Sequence, residues 1–125
     1  MELAKIRKDY NETSLDESQV PTDNSPFPLF ATWMTDAIAA KALEPKSMCL
    51  TTVDERGRPS ARMVICTEYS TEGFCFFSLK DSKKGLHLEQ NPNVALTFWW
   101  AELERSVRVE GSCKLMSDSE IEHYF

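Results

Sequence analysis

Between residues 27 and 38 the apolar positions Phe27, Leu29, Phe30, Trp33, Met34, Ala37 and Ile38 recur near a period of 3.6, the spacing that gathers side chains on one helical face. Ser25 and Pro26 stand where such a helix opens and Pro45 where it closes, so the pattern predicts an amphipathic helix of about four turns. From Met48 the period shortens to two. MCLTTV (48–53) reads as a strand, DERGRP (54–59) as a turn and SARMVICTEY (60–69) as a second strand, together a hairpin. After the turn STEG, FCFFSL (74–79) reads as a third strand. DSKKGLHLEQNP (81–92) reads as a short helix capped by Ser82 and stopped by Asn91-Pro92. NVALTFWW (93–100) and SVRVEGSCKLM (106–116) follow as further strands. SDSEIEHYF (117–125) opens a last helix, with Ser117 as cap and Glu120 three residues on.

Strands joined by such short turns imply a mainly antiparallel sheet with flanking helices, and five of them remove exposed edges by curling into a barrel. Residues 11–28, NETSLDESQVPTDNSPFP, are rich in acids, small polar residues and prolines but poor in large apolar groups. The expected organisation is therefore an extended or mobile leader over residues 1–26 and one folded domain over 27–125, without internal repeats.

Composition narrows the class. A chain of 125 residues fits one domain that buries about two thirds of its unfolded surface. Its 42% hydrophobic and 27% charged residues sit near globular averages, which disfavours disorder, collagen and coiled coil. A formal charge of −6 argues against a general nucleic-acid binder, so any phosphate it holds is small and local. No apolar run approaches a membrane span, and MELAKIRKDY has no signal-peptide core, which points to the cytoplasm. Cys49, Cys66, Cys75 and Cys113 form no CxxC pair and read as buried, reduced thiols.

Candidate chemistry gathers around one arginine. In an alternating strand Ala61, Met63, Ile65 and Thr67 share one face while Arg62, Val64 and Cys66 share the other. Arg62 thus points the way of two apolar groups: either it snorkels to solvent, or its guanidinium fork meets a phosphate or carboxylate. Lys83 and Lys84 fall in the first turn of a helix, where the dipole disfavours cations unless an anion is present; the alternative is two solvated lysines. Phe76 or Phe77 can pack beside a flat ring or in the core, and the Ser78 hydroxyl can bond phosphate. Of Trp99 and Trp100, at least one belongs to the core or a subunit interface. His87 and His123 stand alone, so neither a metal set nor a catalytic triad is expected and no side chain is assigned as catalytic. An enzyme built here borrows its reactive group from a cofactor.

Taken in order, MCLTTVDERGRPSARMV, GFCFFSLKDSKKG, NPNVALTFWWAELERSVRVEG and the terminal HYF resemble the pyridoxamine 5′-phosphate oxidase family, with KIRKDY resembling its substrate-covering N-terminal motif. The resemblance implies an FMN-binding split β-barrel, a homodimer, and FMN in the crevice between subunits. It implies oxidation of pyridoxamine or pyridoxine 5′-phosphate to pyridoxal 5′-phosphate, with hydride passing to the flavin and then to dioxygen. By position, Arg62, Met63, Val64 and Ile65 would line FMN, Phe77 and Ser78 would touch it next, and Lys83 and Lys84 would complete its phosphate cradle. Arg7, Lys8, Asp9 and Tyr10 would close over substrate, and Tyr124 would contact the substrate phosphate.

Three departures accompany the resemblance. Thr67 replaces a substrate-contacting lysine, and Ser106 replaces a glutamine that reaches the flavin ring. The sequence also stops at HYF, where the family continues. They leave room for a second expectation, a non-catalytic or truncated split barrel that binds FMN or phosphate, and a third, a barrel acting only as a dimerisation module.

Overall fold

The computed structural model describes residues 25–78 and 82–124; the expectations for Arg7 to Tyr10 and for most of the leader lie outside the described residues. Helix α1 spans Phe27–Ala39 and buries Phe30, Met34 and Ala37, the face its period announced. Two details of its ends differ from expectation. Pro26 occupies the N-cap, which leaves Ser25 one residue outside. The helix also stops before Pro45: Lys41 and Glu44 take left-handed backbone, with φ of 55° and 48°, and turn the chain toward the sheet. Pro45 instead offers its carbonyl to Trp100 Nε1 at 2.8 Å.

Strands β1 (Ser47–Val53) and β2 (Pro59–Ile65) form the expected hairpin, with Leu50 opposite Arg62. Its turn is held by the Asp54 carboxylate and by Gly57, whose φ of 79° suits glycine. The second strand ends four residues earlier than its composition suggests. Cys66 N donates to Lys46 O, the last carbonyl before β1, and Thr67 N then donates to Cys75 O. Having run out of one partner, the chain adopts another. Strands β3 (Glu68–Ser70) and β4 (Gly73–Cys75) make a separate small hairpin, so residues 76–78 of the expected third strand are outside any strand.

Helix α2 (Lys83–Gln90) begins at Ser82, whose Oγ accepts from Gly85 N at 3.2 Å, as expected of its cap. Strands β5 (Asn93–Trp100) and β6 (Arg105–Ser112) follow, joined by a tight turn with Glu104 in the left-handed region. Helix α3 (Asp118–Tyr124) opens with the capping box read from sequence: Ser117 N donates to Glu120 Oε1 at 3.1 Å and Glu120 N to Ser117 Oγ at 3.2 Å.

The larger sheet has the order β2-β1-β5-β6 and is antiparallel throughout; the smaller pairs β3 with β4. An aromatic cluster joins them. Phe30 of α1 lies edge-on to Tyr69 and Phe74 of the small sheet, at 5.0 and 5.1 Å between centroids, and 5.2 Å from Phe98 of the large one. Met48, Leu50, Leu96, Phe98 and Trp100 complete the core on the same face of the large sheet. Trp100 is thus the core tryptophan, while Trp99 points to the other face. The mainly antiparallel fold with flanking helices holds, split between two sheets.

Candidate functional site

The register that puts Arg62 opposite Leu50 sends its side chain to the core face, midway along β2, next to the pair Thr52 and Ser60 where the apolar series gives out. There Arg62 Nη1 donates to Leu50 O at 3.0 Å and to Thr52 Oγ1 at 2.8 Å. Partial burial pushes the guanidinium below its ordinary pKa by desolvation. An arginine so placed still carries its charge, since the group does not deprotonate in proteins.

Thr52 has no exposed surface, and its Oγ1 also lies 3.0 Å from His87 Nδ1. His87 is the buried residue of α2. A continuous set of bonds therefore runs from the edge strand β2, through a hydroxyl on β1, to the helix that carries Lys83 and Lys84. The guanidinium only donates, so the Thr52 oxygen accepts from Arg62; in the Nε2–H tautomer, His87 Nδ1 receives the Thr52 proton.

Lys83 and Lys84 precede His87 by four and three positions, one helical turn, and sit at the positive end of α2 just after its Ser82 cap. Lys83 is exposed and Lys84 half-buried. Beside them an open groove separates α2 from the β1–β2 turn, lined by Asp54, Arg56, Arg58, Lys83, His87 and Gln90. Arg58 is already neutralised: its Nε donates to Asp54 Oδ2 at 3.1 Å. Hydrogen bonds from the turn, foremost from Arg58 N, hold the Asp54 carboxyl below the usual range. Arg62 is thus joined through Thr52 and His87 to the helix that carries Lys83 and Lys84, and of the three cations Lys83 lines the groove.

The remaining candidates distribute differently. Val64 packs against the core beside Arg62, whereas Met63 and Ile65 face the opposite side, Met63 with 63% of its surface exposed. One ligand can meet all four only along the backbone of β2, which is an edge strand. Phe77 and Ser78 follow β4 and are exposed, while Phe76 packs against the core. Ser106 stands opposite Trp99 on the outer face of β6, the other edge. Three strand spacings, about 14 Å, and the thickness of the sheet thus separate it from Arg62. Thr67 donates its hydroxyl to Cys75 O at 3.2 Å, clamping the β2–β4 junction. Tyr124 closes α3.

Thr52 and His87 were not singled out as site residues. Thr52 reads as an ordinary β residue in MCLTTV, though it continues the buried series Met48, Leu50, and a threonine there needs a polar partner. That partner is 35 residues away, a separation local patterns do not bridge. Among the described residues no group of His, Cys, Asp or Glu could hold a metal ion, and no helix is long and apolar enough to cross a membrane.

Comparison with known proteins places this geometry. The chain is 45% identical over 123 residues to a pyridoxine/pyridoxamine 5′-phosphate oxidase of Trichormus variabilis, covering 98% of the chain and 56% of the relative. It thus spans little more than half the length of the curated relatives it matches. PhzG from Burkholderia lata, solved with tetrahydrophenazine-1-carboxylic acid, superposes over 87% of this chain and 54% of its own with a TM-score of 0.80 at 24% identity. A pyridoxamine 5′-phosphate oxidase-related, FMN binding protein from Nostoc punctiforme does so over 70% and 47%, with a TM-score of 0.61 at 17% identity. These likenesses identify the two-sheet arrangement as the split barrel. Because the sequence model of the pyridoxamine 5′-phosphate oxidase family also matches residues 34–125, the chain belongs to that family.

Proposed function

We propose that this chain carries the FMN-binding part of a cytoplasmic oxidase that converts pyridoxamine or pyridoxine 5′-phosphate to pyridoxal 5′-phosphate. The observation that supports it most is the joining of Arg62, through Thr52 and His87, to α2, the helix that carries Lys83 and Lys84. Three cations beside a capped helix start suit a phosphate dianion, which is the donor chemistry the tail of FMN requires. The family membership and the FMN binding protein of similar fold support the same cofactor.

Arg62 presents its fork to the phosphate, while Lys83, Lys84 and the Ser78 hydroxyl complete the cradle. Met63, Val64 and Ile65 supply backbone along the edge of β2, and Phe77 shields the ring from water. When bound, FMN supplies the hydride-accepting chemistry, with dioxygen as the final acceptor, so no side-chain nucleophile is required. Thr67, Tyr124 and the segment Arg7, Lys8, Asp9 and Tyr10 are proposed to face the phosphorylated B6 vitamer.

Ser106 reaches the same flavin only from a second copy, since it occupies the opposite face and edge of the sheet. That supports a homodimer. Met63, Ile65 and Trp99, exposed together on the outer face, give such a dimer an apolar surface to bury.

The test is direct. Purified protein turns yellow with FMN, and Arg62→Ala combined with Lys84→Ala abolishes retention. Adding pyridoxamine 5′-phosphate under air then yields peroxide and pyridoxal 5′-phosphate. A second reading, a split barrel that binds flavin or phosphate without oxidising a vitamer, is favoured by Thr67: it carries no charge, and its hydroxyl is engaged with Cys75. A flavin-loaded protein giving neither product selects it.

A further inference from the structure

We infer that Thr52 and His87 are positioning residues for the phosphate site: one buried hydroxyl sets the direction of Arg62 and the placement of the lysine-bearing helix together. The inference rests on the flavin reading above and goes beyond it, because neither residue belongs to the cradle itself.

Three observations carry it. Both bonds from Arg62 leave through Nη1, to Leu50 O and Thr52 Oγ1, so this nitrogen is fixed by two acceptors on β1. A guanidinium with one nitrogen held at two points has a set plane, which directs the remaining N–H groups. The same Thr52 oxygen meets His87, and Thr52 and His87 are both buried, at 0% and 7% exposure. Finally, Lys83 and Lys84 lie one turn from His87 on the same helix, so the bond that seats His87 also sets their distance from Arg62.

A purely structural role predicts something else. Were Thr52 only filling the core, valine, close in shape, would serve as well and serine less well. For a positioning role the order reverses, because serine keeps the hydroxyl and valine lacks it. The ligand group at stake is the phosphate alone. FMN and riboflavin share the ring system and differ in that group, so a misdirected Arg62 weakens the first and spares the second.

The experiment titrates FMN and riboflavin into the full chain and into Thr52→Val, Thr52→Ser, His87→Leu and Arg62→Ala. Loss of one hydrogen bond to a charged group corresponds to about a tenfold weakening. Thr52→Val should therefore bind FMN about tenfold more weakly, Thr52→Ser should stay near the parent, and riboflavin affinity should be unchanged in both. His87→Leu tests the bridge from the helix side and should also weaken FMN selectively, including if Thr52→Val does not fold. If Arg62→Ala loses FMN selectively while Thr52→Val and His87→Leu bind like the parent, the inference is overturned and the flavin reading stands. Equal loss of FMN and riboflavin on Thr52→Val overturns it too, as general disruption. If the parent chain binds neither flavin, or Arg62→Ala leaves FMN affinity unchanged, the flavin reading fails and takes the inference with it.

Discussion

Thr52 and His87, 35 residues apart in sequence, meet at 3.0 Å inside the fold, and through this contact α2 is seated on β1. A buried polar pair stabilises only while both members are present. Removing His87 leaves the buried Thr52 hydroxyl with Arg62 alone as partner, and removing the Thr52 hydroxyl leaves His87 Nδ1 buried without that bond, each at a cost of about 1–3 kcal/mol. His87→Ala should lower the free energy of unfolding in urea by that order, and Thr52→Val should do so as well, since it leaves His87 without its bond and Arg62 Nη1 with Leu50 O alone.

The aromatic cluster carries a larger share. Phe30 touches both sheets from the helix, with Tyr69, Phe74 and Phe98 around it. Truncating a buried phenylalanine typically costs about 3–5 kcal/mol, a large part of the roughly 5–15 that hold a domain folded. Phe30→Ala should therefore lower the denaturation midpoint steeply, and Phe77→Ala, at an exposed position, should leave it nearly unchanged.

Acid should weaken the fold through its turns and caps. Backbone bonds hold three carboxyls below their ordinary range: Asp54, foremost through Arg58 N; Glu102, foremost through Leu43 N; and Glu120, foremost through Ser117 N. A depressed folded-state pKa means the contribution is present above the unfolded value and is lost as pH falls through the folded one. The urea midpoint should thus be flat from neutrality down to about pH 5 and decline below about pH 4. Glu120→Gln should shallow the decline.

Three thiols should react slowly in the native state. Burial pushes Cys66, Cys75 and Cys113 above the ordinary thiol range, so little thiolate is present at neutral pH. Labelling of Cys66 by a maleimide should be slow in buffer and fast in urea. Native-state labelling of Cys66 as rapid as in urea would contradict its placement.

Periodicity was a good guide wherever an element answers to one partner. Helix α1 shows its buried face in the spacing of Phe30, Met34 and Ala37, and α3 shows its start in Ser117 and Glu120 because both cap bonds are local. The second and third strands misled, since SARMVICTEY carries no turn signal yet changes partner after Cys66, a switch set by where β1 begins. The site divides in the same way. The alternation of Arg62 and Met63 across β2 follows from strand geometry and was legible. What holds Arg62 was not, because Leu50 O, Thr52 and His87 reach it only through the register of β1 on β2 and the docking of α2.

The most direct measurement of the central claim is the ratio of FMN to riboflavin affinity in the parent chain and in Arg62→Ala, by titration of flavin fluorescence. Convergence of Arg62, Lys83 and Lys84 on one phosphate calls for FMN to bind at least about a hundredfold more tightly in the parent, as expected of two or more charged hydrogen bonds. The ratio should fall by about tenfold or more in the variant. Equal affinities for the two flavins, or a ratio indifferent to the loss of Arg62, would contradict the account.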